Sequence, residues 1–238
     1  HHLEQFIKLV IAPFTTCICQ KIRSNELIQK EYGNIYFASR DGWLPHLVYN
    51  VLGKEADGNR GIYFSSGRRA YFPFLCNSFL EFVKNLSQVD NPETFTLKML
   101  FYAYFSEEGE KLSSLCTEEE NRLLVFKDKN HCLAVLQRIE PEVLLILDKL
   151  RNNAAGYFHK IFDEAGERVL CFDIGYSGSV SKGLNAILKK SVDKVYCWEN
   201  VENQKLDVAS GTVTFKLLTQ LSYSPYNLIL EELFSPCV

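Results

Sequence analysis

Three stretches of this chain set charged and small residues directly behind apolar runs, where they are able to do chemistry. The longest is VLCFDIGYSGS, residues 169–179. An apolar run ends in the acid Asp173, a loop of small residues follows, and a helical pattern begins at Val180. Backbone N–H groups at a helix start are unpaired and favour an anion, so such a loop suits phosphate. Ser177 and Ser179 add hydroxyl donors, Gly175 and Gly178 let the backbone come close to a ligand, and Tyr176 either stacks on a sugar or packs. Asp173 falls at the carboxyl end of the strand, where open parallel sheets bind ligands. The bland alternative is a capped βα turn.

The second stretch is Ser39-Arg40-Asp41-Gly42. Arg40 can neutralise phosphate oxygens. Asp41 can bind magnesium or take a proton, and Gly42 leaves room for a diphosphate. The third is Ser65-Ser66-Gly67-Arg68-Arg69, where two guanidiniums suit a diphosphate leaving group. Surface and capping roles are the alternatives at both. His46, His131 and His159 have no metal spacing among them, and His46 reads as a supporting residue one turn into a helix. Cys17-x-Cys19 is not a zinc spacing. The remaining six, Cys76, Cys116, Cys132, Cys171, Cys197 and Cys237, are scattered and read as buried, reduced thiols of a cytoplasmic protein.

Three chemistries share the strand–acid–small-residue loop. The methyltransferase pattern D-x-G-x-x-G fits Asp173, Gly175 and Gly178, with Glu199 as a ribose ligand, but it usually opens its fold, whereas here it comes late. A haloacid-dehalogenase-like phosphatase needs Asp-x-Asp, and Gly175 occupies the second acid's place. The type I phosphoribosyltransferase loop, in which an acid holds ribose hydroxyls and the loop holds a 5-phosphate, comes late in its domain, as here, and fits best.

These residues need a sheet to position them. Residues 35–39, 62–65, 168–172 and 194–198 are expected as strands of one mostly parallel sheet, because each apolar run ends in a turn and a short helix, WLPHLVYNVL, links the first two. A further strand is expected over 211–219. Residues 4–31 read as a helix broken near Pro13, and Val180–Lys190 and 226–234 as helices. The stretch 72–165 is mainly helical, with patterns at Leu97–Phe105, Glu118–Phe126, Ala134–Gln137 and Glu142–Ala154 and a capping box opening at Thr117. This gives one α/β domain over 1–238 with a helical insertion at about 73–165. Apolar residues make up 47% of the 238, enough for a sizeable core, and the net charge of −3 argues against a broad nucleic-acid surface. No window reads as a transmembrane helix or a signal core.

Taken in order, IYFASRDGWLPHLVYNVL, IYFSSGRRA, VLCFDIGYSGS and LILEELFSP resemble a phosphoribosyltransferase-like domain of bacterial polysaccharide gene clusters, over about residues 10–236. That domain often sits beside a haloacid-dehalogenase-like phosphatase. The resemblance implies transfer of 5-phosphoribose from phosphoribosyl diphosphate to a sugar hydroxyl, with Mg2+, for ribofuranose-containing O-antigen or capsule glycans. A partner or fused phosphatase would then remove the 5-phosphate. By matching motif it implies Arg40, Arg68, Arg69, Ser177, Gly178 and Ser179 as substrate-binding residues, to which the reading of the three turns adds Ser39, Gly42, Ser66 and Tyr176. Asp41 and Asp173 are the implied metal ligands and, with Glu231, the catalytic acids; the base is Asp41 or Glu231. Ordinary phosphoribosyltransferases favour two adjacent acids before the loop, and here Ile174 replaces the second. The other readings are the phosphatase itself and a non-catalytic scaffold that binds glycan or a partner. Because LILEELFSPCV ends without a polar tail, the natural protein is expected to continue beyond Val238.

Overall fold

The computed structural model describes residues 2–39, 41–53, 59–65, 67–85, 94–173, 179–197 and 212–217. They divide into two compact units, one holding 1–67 and 161–238, the other 68–160.

The first unit opens with α1 (His2–Phe6), a wide π-wound turn (Ile7–Ile11), α2 (Ala12–Arg23) and α3 (Glu26–Glu31). The expected break near Pro13 is corrected: the helix runs through it. A proline ring crowds the carbonyl four residues back, and the wider winding upstream, where the Ala12 N–H donates to the Ile7 carbonyl, accommodates it. The chain breaks instead at Ser24, and Asn25 caps α3 by accepting the Ile28 N–H at 3.1 Å.

Strand β1 (Asn34–Ala38) leads through α4 (Trp43–Leu52) to β2 (Arg60–Phe64). The helices of the second unit come next: α5 (Arg68–Tyr71), α6 (Phe79–Asn85), α7 (Leu97–Phe105), α8 (Glu108–Ser114), α9 (Glu118–Asn121), α10 (Lys129–Arg138) and α11 (Glu140–Ile161), whose last residue lies in the first unit. Then come β3 (Arg168–Asp173), α12 (Ser179–Leu188), β4 (Ser191–Tyr196) and β5 (Thr214–Lys216). All five strands are parallel, in the order β2-β1-β3-β4-β5. The expected strands thus form, each within a few residues of its expected bounds. The stretch 226–234, expected as a helix, lies outside the described residues.

The core between α2, α3, α4 and the sheet is built from Ile18, Ile22, Ile28, Ile35, Phe37, Tyr49, Leu170, Phe172, Val195 and Cys197. Alternation along the strands sends Tyr36, Cys171, Asp173, Lys194 and Tyr196 to the opposite face, where Phe162 packs on Tyr36 and Phe64. Right-handed crossovers account for helices on both faces: the chain moves one way from β1 to β2 and the other way from β3 to β4. Arg23 secures the far end of α4. Its Nε and Nη2 donate to the Tyr49 carbonyl and its guanidinium lies 3.9 Å from the Tyr49 ring centre, a cation at the negative end of the helix. Asn50 pairs both ways with Gly61, at 2.9 Å each, and so covers part of the edge strand β2.

The second unit has its own core, including Phe72, Phe82, Leu97, Phe101, Phe105, Val143 and Leu147. The capping box forms as expected, Thr117 with Glu120. The helix expected over Glu118–Phe126 ends at Asn121, because the chain after it pairs with another segment. Thr96 bridges Leu124, and the Leu97 and Val125 N–H groups donate to the Leu123 and Phe95 carbonyls. The seven described cysteines are free thiols; Cys17 is exposed, and Cys116, expected to be buried, is half-buried.

Candidate functional site

The strand order reverses between β1 and β3, so their carboxyl ends flank the crevice where sheets of this order bind ligands. Two expected acids come from those two ends. Phe37 pairs with Phe172, so the next residues along, Ala38 and Asp173, reach the same edge. Asp41 follows β1 in the turn that enters α4, and both carboxyl-bearing residues are half-buried.

The turn that carries Asp41 is tightly held. The Ser39 N–H donates to the Phe64 carbonyl at 2.9 Å, tying β1 to β2, and the Gly42 N–H donates to the Ala38 carbonyl at 2.8 Å. A Cβ on Gly42 would stand 2.5 Å from the Ala38 oxygen and 2.9 Å from the Phe37 carbonyl carbon, both backbone atoms. Gly42 is therefore required by the approach of the turn to its own strand; its role toward a diphosphate is a separate expectation. Pro45 sits in the first turn of α4, where no N–H partner is lost.

Electrostatics at this edge centre on Asp173. Burial, and after it the Asp173 charge, push the Cys171 thiol well up. Cys197 is pushed up by burial, then by Cys19 and Asp173. His46 stays a supporting residue. Its ring packs 5.9 Å from Phe37 and 5.8 Å from Tyr63, and burial lowers its pKa, opposed by the Gly61 backbone.

The other expected residues divide in two groups. Arg40, Ser66, Tyr176, Ser177, Gly178 and Glu231 lie outside the described residues. Arg68 and Arg69 open α5 in the second unit and Ser179 opens α12, with their side chains outside the description. Among the described residues no group of three or more His, Cys, Asp and Glu gathers as a metal cage. The donor chemistry of Asp41 and Asp173 nonetheless suits Mg2+, which takes one or two carboxylates together with substrate phosphates and water.

Two buried charges escaped the sequence reading. Asp193 and Lys194 sit in SVDKVY of β4, 0% and 3% exposed. The signal was two adjacent charges inside an apolar strand, which alternation must send to opposite buried faces. Asp193 serves the far, amino end of the sheet. It accepts from Tyr32 Oη, from Arg168 Nε and Nη2, each at 2.8 Å, and from the Val213 N–H at 2.7 Å.

The chain matches no protein-family model and no curated protein. No helix among the described residues is long and apolar enough to cross a membrane. Fold and site together define an α/β protein with two acids at the carboxyl edge of a parallel sheet.

Proposed function

We propose that the protein is a phosphoribosyltransferase of glycan biosynthesis, moving 5-phosphoribose from phosphoribosyl diphosphate to a sugar hydroxyl. The observation that carries the reading is the placement of Asp41, in the turn after β1, and of Asp173, at the end of β3, on the carboxyl edge where the strand order reverses. The acceptor oxygen attacks the anomeric carbon, the bond to diphosphate breaks, and the acceptor proton passes to a base, Asp41 or Glu231. Asp173 holds the ribose hydroxyls. Residues 176–179 hold the 5-phosphate at the start of α12. Arg40, Arg68 and Arg69 take the diphosphate charge, a role that rests on their motifs. Mg2+, held by Asp41 and Asp173, would neutralise the departing diphosphate. A phosphatase acting next would remove the 5-phosphate, and a cytoplasmic location suits such a substrate.

The test is ligand stabilisation of the chain by phosphoribosyl diphosphate, a nucleoside diphosphate-sugar and S-adenosylmethionine, each with and without Mg2+. A ligand at 100 times its Kd stabilises by about 2.7 kcal/mol. Selective, Mg2+-dependent stabilisation by phosphoribosyl diphosphate is expected. Stabilisation by one of the other two alone overturns the reading.

A further inference from the structure

The second unit carries a groove of about 510 Å³ between α9 and α10. Small-molecule sites usually measure about 300–1,000 Å³, with an apolar lining and a few convergent polar groups. This groove has both. His131, Ala134, Val135 and Arg138 keep the i, i+3, i+4, i+7 spacing and so form one stripe along α10. Val135 is buried, and exposed Ala134 beside it extends no further than its Cβ, which leaves room above the helix. Leu123, in the chain after α9, completes the apolar lining.

The polar lining is held in place by the protein itself. Glu120 Oε2 accepts the Thr117 N–H at 2.8 Å, and the two Glu120 oxygens accept from Arg138 Nη2 at 2.9 and 2.8 Å. Arg138 Nη1 donates to the Leu115 carbonyl at 3.2 Å. The Thr117 N–H, and after it Arg138, hold the Glu120 carboxyl below its ordinary value against the effect of burial. Glu120 and Arg138 offset each other's charge, and Glu119 adds a second carboxylate to the lining. The groove therefore has an acid excess and disfavours an anion.

The lining also sorts its hydrogen-bonding groups. The carboxylates only accept, the guanidinium only donates, and the Thr117 hydroxyl and the His131 ring do both. A ligand that answers all of them carries groups that both donate and accept, set around a body that lies on Leu123, Ala134 and Val135. A sugar ring, with hydroxyls at its rim and C–H bonds on its face, has that chemistry. We infer that the groove between α9 and α10 binds a neutral pyranose unit of the sugar acceptor. The inference rests on the reading of the protein as a glycan phosphoribosyltransferase and names where the chain grips that glycan.

The test titrates methyl α-D-glucopyranoside, methyl β-D-galactopyranoside and methyl α-D-mannopyranoside into the ¹⁵N-labelled chain, with spermidine as a cation and inorganic phosphate as an anion. At least one glycoside is expected to give saturating shifts at the amides of 117–123 and 131–138. Ala134→Leu fills the groove from an exposed helix position. It is expected to weaken that glycoside about tenfold or more, with the urea midpoint unchanged. Glu119→Gln keeps the shape and removes a charge, and is expected to weaken it about fivefold. In turnover, Ala134→Leu is expected to raise KM for the glycan acceptor and leave KM for phosphoribosyl diphosphate little changed.

No glycoside shift at these amides, shifts there by spermidine or phosphate alone, or wild-type glycoside affinity in either variant overturns the inference. A wild-type chain that binds a glycoside in the groove but releases no diphosphate from phosphoribosyl diphosphate overturns the proposed function instead, and leaves the groove a sugar site.

Discussion

Removing the Asp193 carboxylate is expected to cost stability and leave the candidate site alone. Asp193 is fully buried and accepts four hydrogen bonds that join the end of α3, the start of β3 and the approach to β5. Breaking a buried charge pair typically costs about 3–5 kcal/mol, because the partner is left uncompensated. Here the partner Arg168 is 41% exposed in its side chain, so water takes back part of its charge. Asp193→Ala is therefore placed at the lower end, about 3 kcal/mol. For a chain of this size that lowers Tm by roughly 6–12 °C. Asp193→Asn keeps the volume but only one acceptor oxygen, for Tyr32 or for Val213, which donate to different oxygens of Asp193, and its cost is expected at about 1–3 kcal/mol. Arg168→Met leaves the carboxylate buried without its cation and is expected to cost at least as much as Asp193→Asn. The double variant is expected to cost less than the sum. The assay is urea unfolding of the wild type and the four variants, with ligand stabilisation as the check on the site. A loss below about 1 kcal/mol for Asp193→Ala would refute the reasoning.

Two further perturbations follow from the described geometry. Gly42→Ala must push the backbone at the end of β1 by about 0.7 Å, since its Cβ would otherwise sit 2.5 Å from the Ala38 oxygen; overpacking of this kind costs about 1–3 kcal/mol, and the move of neighbouring Asp41 is expected to slow diphosphate release about 10- to 100-fold. Equal unfolding midpoints for Gly42→Ala and the wild type would show that the turn yields freely. Cys19 is buried, donates its S–H to the Pro45 carbonyl at 3.3 Å, and is pushed up to about 12, mainly by burial and against the pull of Arg23. A folded pKa raised above the ordinary value near 9 gives stability that is present below pH 9 and lost as pH rises toward 12. Cys19→Ala is expected to flatten that alkaline slope by up to one proton, measured as unfolding free energy against pH; an unchanged slope would count against the burial argument.

The strands were legible because NIYFA, GIYF and RVLCFD are apolar runs closed by turns, and a ten-residue helix between two of them forces parallel pairing. The adjacency of β1 and β3 was not legible. Most of the chain between them belongs to the second unit, and no local pattern records a pairing across it. Pro13 was misread because proline ends most helices, and the wide turn before it is visible only in the backbone. Leu123–Val125 kept a helical pattern yet pairs with Phe95–Leu97, a choice made by tertiary contact. At the site, Asp41 and Asp173 were legible as acids behind apolar runs. The burial of Lys194 was not, since it depends on which face of β4 the sheet covers.

The central claim turns on Asp173. Asn at this position keeps the volume and can still cap a turn, so a merely structural role predicts little change. A carboxylate that accepts ribose hydroxyls and helps hold Mg2+ predicts a large one, because hydrogen bonds to an ionised group are the strong ones. Such a contact in a closed site is worth about 2–4 kcal/mol of transition-state stabilisation, roughly 30- to 1,000-fold in rate. The measurement is diphosphate release from phosphoribosyl diphosphate with a glycan acceptor, by wild type and by Asp173→Asn, with circular dichroism as the folding control. The account predicts a folded variant slowed by that factor. A folded Asp173→Asn protein that releases diphosphate at the wild-type rate would contradict it.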